Sequence, residues 1–197
     1  MSDRTLVHLP IDEYDCSDDV DVDLYKSWGN PLVIACFDCD RATVEQLLDA
    51  GADINGKNNM GITPFHAACI ACGPDPECVR LAKFLAGRGA DTHAHPGCQN
   101  SPLVSACIYG RTGVVEYLLD EVAVDIEEKV ELDMASFPGR PTTALDWALV
   151  TNDVGCARVL LGAGANAAEY VDGGCKRSLL SDDAKALVDA FCTAAAK

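Results

Sequence analysis

Two cysteine pairs with the spacing of zinc ligands occur in this 197-residue sequence. Cys36 and Cys39 are separated by two residues, and Cys69 and Cys72 repeat that spacing. Thiolates in such pairs bind zinc when four of them meet in a tetrahedron. Whether these four can meet depends on the elements that carry them.

Two other clusters could bind a metal ion. His93, His95 and Cys98 offer two imidazoles and a thiolate, although a polar loop tip is the favoured interpretation. Alternating aspartates at 19–23 begin like a calcium loop, but Leu24 stands where the sharp turn needs glycine. No activated nucleophile or phosphate-binding glycine loop is recognisable. The sequence therefore predicts a non-catalytic protein without a cofactor or metal.

Four similar phrases recur along the chain, and each begins with a residue that can cap a helix. In three of them a proline follows, and its missing N–H suits the first helical turn. Successive phrases are 33, 38 and 42 residues apart, and each precedes a second helical run. The phrases begin at Asn30, Thr63, Ser101 and Thr143.

The second phrase, Thr63 to Ala68, reads Thr-Pro-Phe-His-Ala-Ala, and residues 47–55 read Leu-Leu-Asp-Ala-Gly-Ala-Asp-Ile-Asn. In these phrases and their period, the chain resembles the ankyrin repeat family. The resemblance implies an all-α solenoid of helix-turn-helix units with β-hairpin fingers, which recognises another protein. It also implies that His66 is structural and orders its turn by hydrogen bonding.

The repeat register divides the chain into an N-terminal cap, a stack and a C-terminal cap. An acidic segment at 1–29, in which Trp28 covers the first repeat, precedes the stack, and a capping helix within 169–197 follows it. Nine additional residues lengthen the finger around 130–140. The predicted repeats are 30–62, 63–100, 101–142 and 143–168.

The same register separates the cysteines. Cys36, Cys69 and Cys107 occupy equivalent positions in successive repeats. Equivalent positions on neighbouring helices are roughly 8–10 Å apart, whereas sulfurs around zinc must be about 3.8 Å apart. We therefore expect these thiols to be reduced, free of metal and packed as small apolar side chains.

The net charge of −16 restricts the class of partner. Acidic residues concentrate at 1–29 and 120–133, so the surface repels nucleic acid and suits a protein with a basic patch. The alternative is that these acids only keep the stack soluble. Eleven cysteines, no secretory signal and no apolar run of about 18 residues predict a cytoplasmic or nuclear protein without membrane insertion.

An apolar column predicts where the partner binds. Six residues after each first-turn position stands a large apolar side chain, at a place that the ankyrin architecture turns toward its concave groove. The column and its rim comprise Phe37, Met60, Ile70, His95, Ile108, Tyr109, Met134, Phe137 and Val150. Alternatively, the long finger or the N-terminal segment covers the column. The alternative function is a permanent regulatory or assembly subunit of a larger enzyme complex.

Asn55 is a candidate modification site. Leu47, Asp53 and Asn55 match the spacing that asparaginyl hydroxylases favour in ankyrin fingers, as the family resemblance implies. The favoured interpretation is that Asn55 instead hydrogen-bonds the finger.

Overall fold

The computed structural model describes residues 29–93, 100–130, 142–171 and 176–195. Its regular structure in these residues is helical, which confirms the predicted all-α class. The first helices of the pairs are α1 (Pro31–Phe37), α3 (Pro64–Cys69), α5 (Pro102–Ile108) and α7 (Ala144–Val150). The second helices are α2 (Arg41–Asp49), α4 (Asp75–Gly87), α6 (Thr112–Tyr117) and α8 (Val154–Gly162), and α9 (Asp182–Ala195) follows them.

Each predicted cap residue starts its first helix. The side chains of Asn30, Thr63, Ser101 and Thr143 all accept a hydrogen bond from a backbone N–H in the first turn. These bonds satisfy N–H groups that have no partner within the helix. The four phrases therefore fix where the first helices begin.

The first helices stack in order, with α1 against α3, α3 against α5, and α5 against α7. A buried alanine lies at the same position of each helix: Ala35, Ala68, Ala106 and Ala148. Helix axes approach closely only where the intervening side chains are small. The second helices α4, α6 and α8 also stack, and α9 packs on α8.

The fingers contain less β-structure than the predicted hairpins. In the described part of the chain they form one antiparallel bridge, Val130 with Thr142, at the base of the long finger. Trp147 Nε1 also donates to Thr142 Oγ1 at 3.1 Å. The fingers hold one another through polar bonds: Asp91 N donates to Asn55 Oδ1 at 2.8 Å. Asn166 N likewise donates to Glu127 Oε1 at 2.7 Å.

The third helix pair ends differently from the others. Helix α6 continues into a π-helical turn, Leu118–Val122, and Ala123 then adopts φ 58°. Gly51, Gly89 and Gly164 occupy the corresponding left-handed position elsewhere. The π turn accommodates one additional residue, so the left-handed position moves past Val122 to an alanine, at a cost of about 1 kcal/mol.

A buried carboxylate ties the C-terminal segment to the last helix pair. Asp146 is 1% exposed, and its Oδ2 accepts from Thr143 N at 2.7 Å in a capping box. Its Oδ1 accepts a short bond from the Tyr170 hydroxyl and a 2.8 Å bond from Lys176 Nζ. Asp146 therefore holds residues that lie 24 and 30 positions later in the chain.

The charge on Lys176 is stabilised despite burial. Burial alone would lower its pKa, but hydrogen bonds to Asp146 and to Glu169, whose Oε2 lies 2.7 Å from Nζ, outweigh burial and raise it. The Lys176 side chain therefore keeps its positive charge at and somewhat above the ordinary lysine pKa.

Some predicted features lie outside the described residues. They are the cap at Trp28, the tip of the long finger, and the metal-site candidates His95, Cys98 and residues 19–23. In the described residues, no helix combines the length and apolar character needed to span a membrane.

Replacing Asp146 with alanine should strongly destabilise the protein. The change removes the buried carboxylate that accepts hydrogen bonds from the Lys176 ammonium and the Tyr170 hydroxyl, which costs about 3–5 kcal/mol. Urea denaturation followed by circular dichroism measures the loss. The matched control is Glu169→Ala, which removes an exposed carboxylate from the same lysine and should cost about 1 kcal/mol or less. Equal losses in the two variants would contradict this role for Asp146.

Candidate partner-binding surface

The four column residues all lie at the ends of first helices. Phe37, Ile108 and Val150 are the last residues of α1, α5 and α7, and Ile70 is the C-cap of α3. The repeat register therefore brings them to equivalent places in the stack.

The prediction of a continuous, exposed apolar column is wrong for the first two helix pairs. Phe37 is 8% exposed and Ile70 6%, and both belong to the hydrophobic core. Cys72 N donates to the Phe37 carbonyl at 3.0 Å, so the turn after α3 lies against the end of α1. Sequence reasoning assigned these positions to an open groove, whereas the folded chain covers them. Ile108 and Val150 are half-buried.

Two other predicted residues are large, apolar and exposed. Met60, in the finger between α2 and α3, is 43% exposed, and Tyr109, the C-cap of α5, is 46% exposed. Asn58 Oδ1 accepts from Met60 N at 2.9 Å and from Ile62 N at 2.8 Å, which orders this finger. The remaining predicted rim residues, His95, Met134 and Phe137, lie outside the described residues.

The finger after α6 carries concentrated negative charge. Residues 120–129 contain five carboxylates and one lysine. Asp120, Glu121, Asp125 and Glu127 are exposed, and Glu121 pairs with Lys83 across the second helices. Like charges so close to one another create a negative potential that attracts cationic groups.

A polar cleft of about 350 Å³ opens where this finger meets the C-terminal segment. Its charged groups bind one another: Lys176 contacts both Asp146 and Glu169, and Glu127 accepts from Asn166 N. The cleft is lined by Glu127, Lys129, Thr143, Asp146, Asn166, Glu169, Tyr170 and Lys176. These pairings connect the finger after α6 and the start of α7 to the segment that follows α8.

Sequence reasoning missed two groups of side chains that the structure brings together. One is the Asp146, Tyr170 and Lys176 cluster, and the only sequence signal for it is an aspartate where the second phrase has His66. The other is a contact between Cys39 and Cys78. Both join residues far apart in the chain, and periodicity carries no information about such pairs.

Two residues that the resemblance singled out make contacts between repeats. His66 is 2% exposed, and its Nε2 lies 2.8 Å from Ser105 Oγ on α5. It is therefore a structural residue, as predicted, and it connects neighbouring pairs. Asn55 accepts from Asp91 N, so its amide orders adjacent fingers. Its hydroxylation stays a prediction.

Because Ile70 is buried, we predict that Ile70→Asp destabilises the protein. A carboxylate at this buried site is stranded in apolar surroundings, which costs about 2 kcal/mol or more. The matched control is Met60→Asp at an exposed position, where we expect a change of about 0.5 kcal/mol. Thermal denaturation followed by circular dichroism compares the two. An unchanged midpoint in Ile70→Asp would show that Ile70 is accessible to solvent.

Comparisons with known proteins agree with the fold. Residues 75–170 match a family model of ankyrin repeats in three copies. A stretch of 122 residues is 34% identical to neurogenic locus notch homolog protein 1 of Mus musculus and of Cricetulus griseus. It is 32% identical to neurogenic locus notch homolog protein 2 of Homo sapiens.

These alignments cover 62% of this chain but 4% of the length of the relatives. The likeness therefore concerns a short segment of much longer proteins. The family match is evidence that does not depend on the stacked helix pairs and their caps. It confirms the resemblance to ankyrin repeats. Residues 75–170 of this chain are ankyrin repeats.

Proposed function

We propose that this protein is a non-catalytic recognition module that binds another protein through its helix ends and fingers. Ankyrin repeats are protein interaction modules, and stacks of this kind present extended surfaces to their partners. The observation that supports the location is the exposure of two large apolar side chains, Met60 in the finger between α2 and α3 and Tyr109 at the C-terminal end of α5. Exposed aromatic and methionine side chains are enriched at protein interfaces.

Tyr109 is the centre of the proposed surface. It follows Ile108 at the end of α5, and Val150 occupies the place equivalent to Ile108 on the adjacent helix α7. Ile108 and Val150 are half-buried, so they can supply an apolar floor. A tyrosine offers a large, rigid contact area at a low entropic cost, which is why tyrosines often dominate binding energy.

The acidic finger favours a partner with a basic surface. The exposed carboxylates of Asp120, Asp125 and Glu127 lie on the finger that follows α6. Complementary charge accelerates the encounter and disfavours acidic partners. Charge of this sign also disfavours nucleic acid as a partner.

The family model begins at residue 75, within α4. We infer that the pair α1 and α2 continues the same stack as a further repeat. The support is the cap at Asn30 and the packing of α1 on α3.

Tyr109→Ala should weaken partner binding. Loss of a central tyrosine typically costs about 2 kcal/mol or more, or roughly thirtyfold in affinity. Affinity capture from the native cell followed by mass spectrometry identifies the partner, and titration calorimetry with the purified partner measures Kd. The matched control is Arg158→Ala, an exposed residue on the second helix α8, which should leave Kd unchanged.

An equal effect of both substitutions, or none from Tyr109→Ala, would contradict the proposed surface. Stoichiometric co-purification with an enzyme, together with aggregation of the isolated chain, would instead favour the alternative of a permanent subunit. A transient module predicts a monodisperse isolated protein.

A further inference from the structure

Two cysteine thiols from different helix pairs lie in contact. Cys39 Sγ and Cys78 Sγ are 3.7 Å apart. Cys39 occupies the turn between α1 and α2, with φ 55°, and is half-buried. Cys78 lies in the second turn of α4 and is fully buried. The contact therefore joins the first helix pair to the second, and one of the two cysteine residues is partly exposed to solvent.

The turn between α3 and α4 makes room for this contact. A Cβ on Gly73 would lie 2.8 Å from Cys39 Sγ, so a side chain at this position would displace the Cys39 thiol, whereas Cys78 Sγ at 3.9 Å would be in ordinary contact with it. Arg111 Nη1 donates to the Gly73 carbonyl at 3.1 Å. Asp75 Oδ2 accepts from Gly113 N at 2.6 Å. The third helix pair thus holds the turn against the thiol pair.

The surroundings make the two sulfurs chemically different. The hydrogen bond between the Cys78 and Cys39 sulfurs, together with the Gly73 N–H and the charge of Arg111, lowers the pKa of Cys39 to about 7 against burial and Glu77. The hydrogen bond to Cys39 and burial raise the pKa of Cys78. A substantial share of Cys39 is therefore the nucleophilic thiolate near neutral pH, while Cys78 keeps its proton.

A second thiol pair, Cys107 and Cys156, is also hydrogen-bonded, but both of its members are buried. Cys36 and Cys69 are buried, and burial raises the pKa of both thiols. Buried protonated thiols react slowly. These two residues therefore act as packing residues, as the sequence predicted, whereas the Cys39 and Cys78 contact has the geometry and access for chemistry.

We propose that Cys39 and Cys78 are a redox modification site, at which a hydroperoxide oxidises the pair to a disulfide. The Cys39 thiolate attacks the terminal peroxide oxygen, the O–O bond breaks, and Cys39 becomes a sulfenic acid as the alkoxide or hydroxide leaves and takes a proton. The Cys78 sulfur then attacks the Cys39 sulfur, the S–O bond breaks, and the hydroxyl group leaves as water with the proton of the Cys78 thiol. A disulfide and water form, so two thiols lose two electrons to one peroxide.

Closing the bond requires little movement. The sulfurs must approach from 3.7 Å to the bonding distance of about 2.05 Å. Cys39 lies in a turn at the edge of the stack, where a small side-chain rotation moves its sulfur. The bond would fix the turn after α1 to α4 and so lock the first helix pair onto the second.

Peptide mapping after oxidation tests the proposal. The reduced full-length protein is treated with about one equivalent of hydrogen peroxide, alkylated and digested without reductant. We expect a Cys39–Cys78 linked peptide before any other cross-link. In Cys78→Ala we expect no linked peptide, and dimedone should instead trap a sulfenic acid on Cys39. In Cys39→Ala neither product should form at this site.

Cys72→Ala is the matched control, because Cys72 is also half-buried and lies beside the same turn. It should form the linked peptide at the wild-type rate. Circular dichroism checks that each variant is folded. The peptide map of the wild-type protein by itself shows which cysteine pair cross-links first. A first cross-link at another pair, or peroxide consumption in Cys39→Ala as fast as in wild type, would overturn the proposal.

Discussion

The first helices of this stack meet along a line of four buried alanines, Ala35, Ala68, Ala106 and Ala148. Close approach of the helices brings the apolar residues beside that line, such as Leu103 and Leu145, into one core. A single repeat cannot bury such a face alone, so each pair depends on its neighbour for stability. The line of alanines therefore determines the spacing of the repeats. It also determines the positions of the turns and fingers at the ends of the helices.

Polar contacts between repeats align those edges. His66 with Ser105, Asn55 with Asp91, and Glu127 with Asn166 each join residues 36 to 39 positions apart, which is close to one repeat. The Asp146 cluster connects the C-terminal segment to α7 through a buried ion pair with Lys176. Because the fingers are held to one another, the acidic finger keeps a fixed position relative to the stack.

The repeat phrases carried most of the information about the fold, because capping and helix packing are local rules that each phrase satisfies alone. The caps at Asn30, Thr63, Ser101 and Thr143 and the structural role of His66 followed from them. Exposure could not be predicted so well: Phe37 and Ile70 have the periodicity of a groove face, yet a neighbouring turn covers this part of the stack. The partners of Asp146 lie in the irregular segment after α8, and Cys39 itself lies in a turn, where periodicity gives no register.

Equilibrium unfolding of Ala106→Leu tests most directly whether close packing of the first helices supports the whole stack. Ala106 is fully buried, so the larger side chain must force α5 away from its neighbours at a cost of about 1–3 kcal/mol. We predict one urea transition, shifted to lower concentration, with the same midpoint by circular dichroism and by tryptophan fluorescence. The exposed substitution Ala42→Leu on α2 should leave the transition in place. An unshifted transition in Ala106→Leu, or midpoints that differ between the two probes, would contradict a single stack held by this line of alanines.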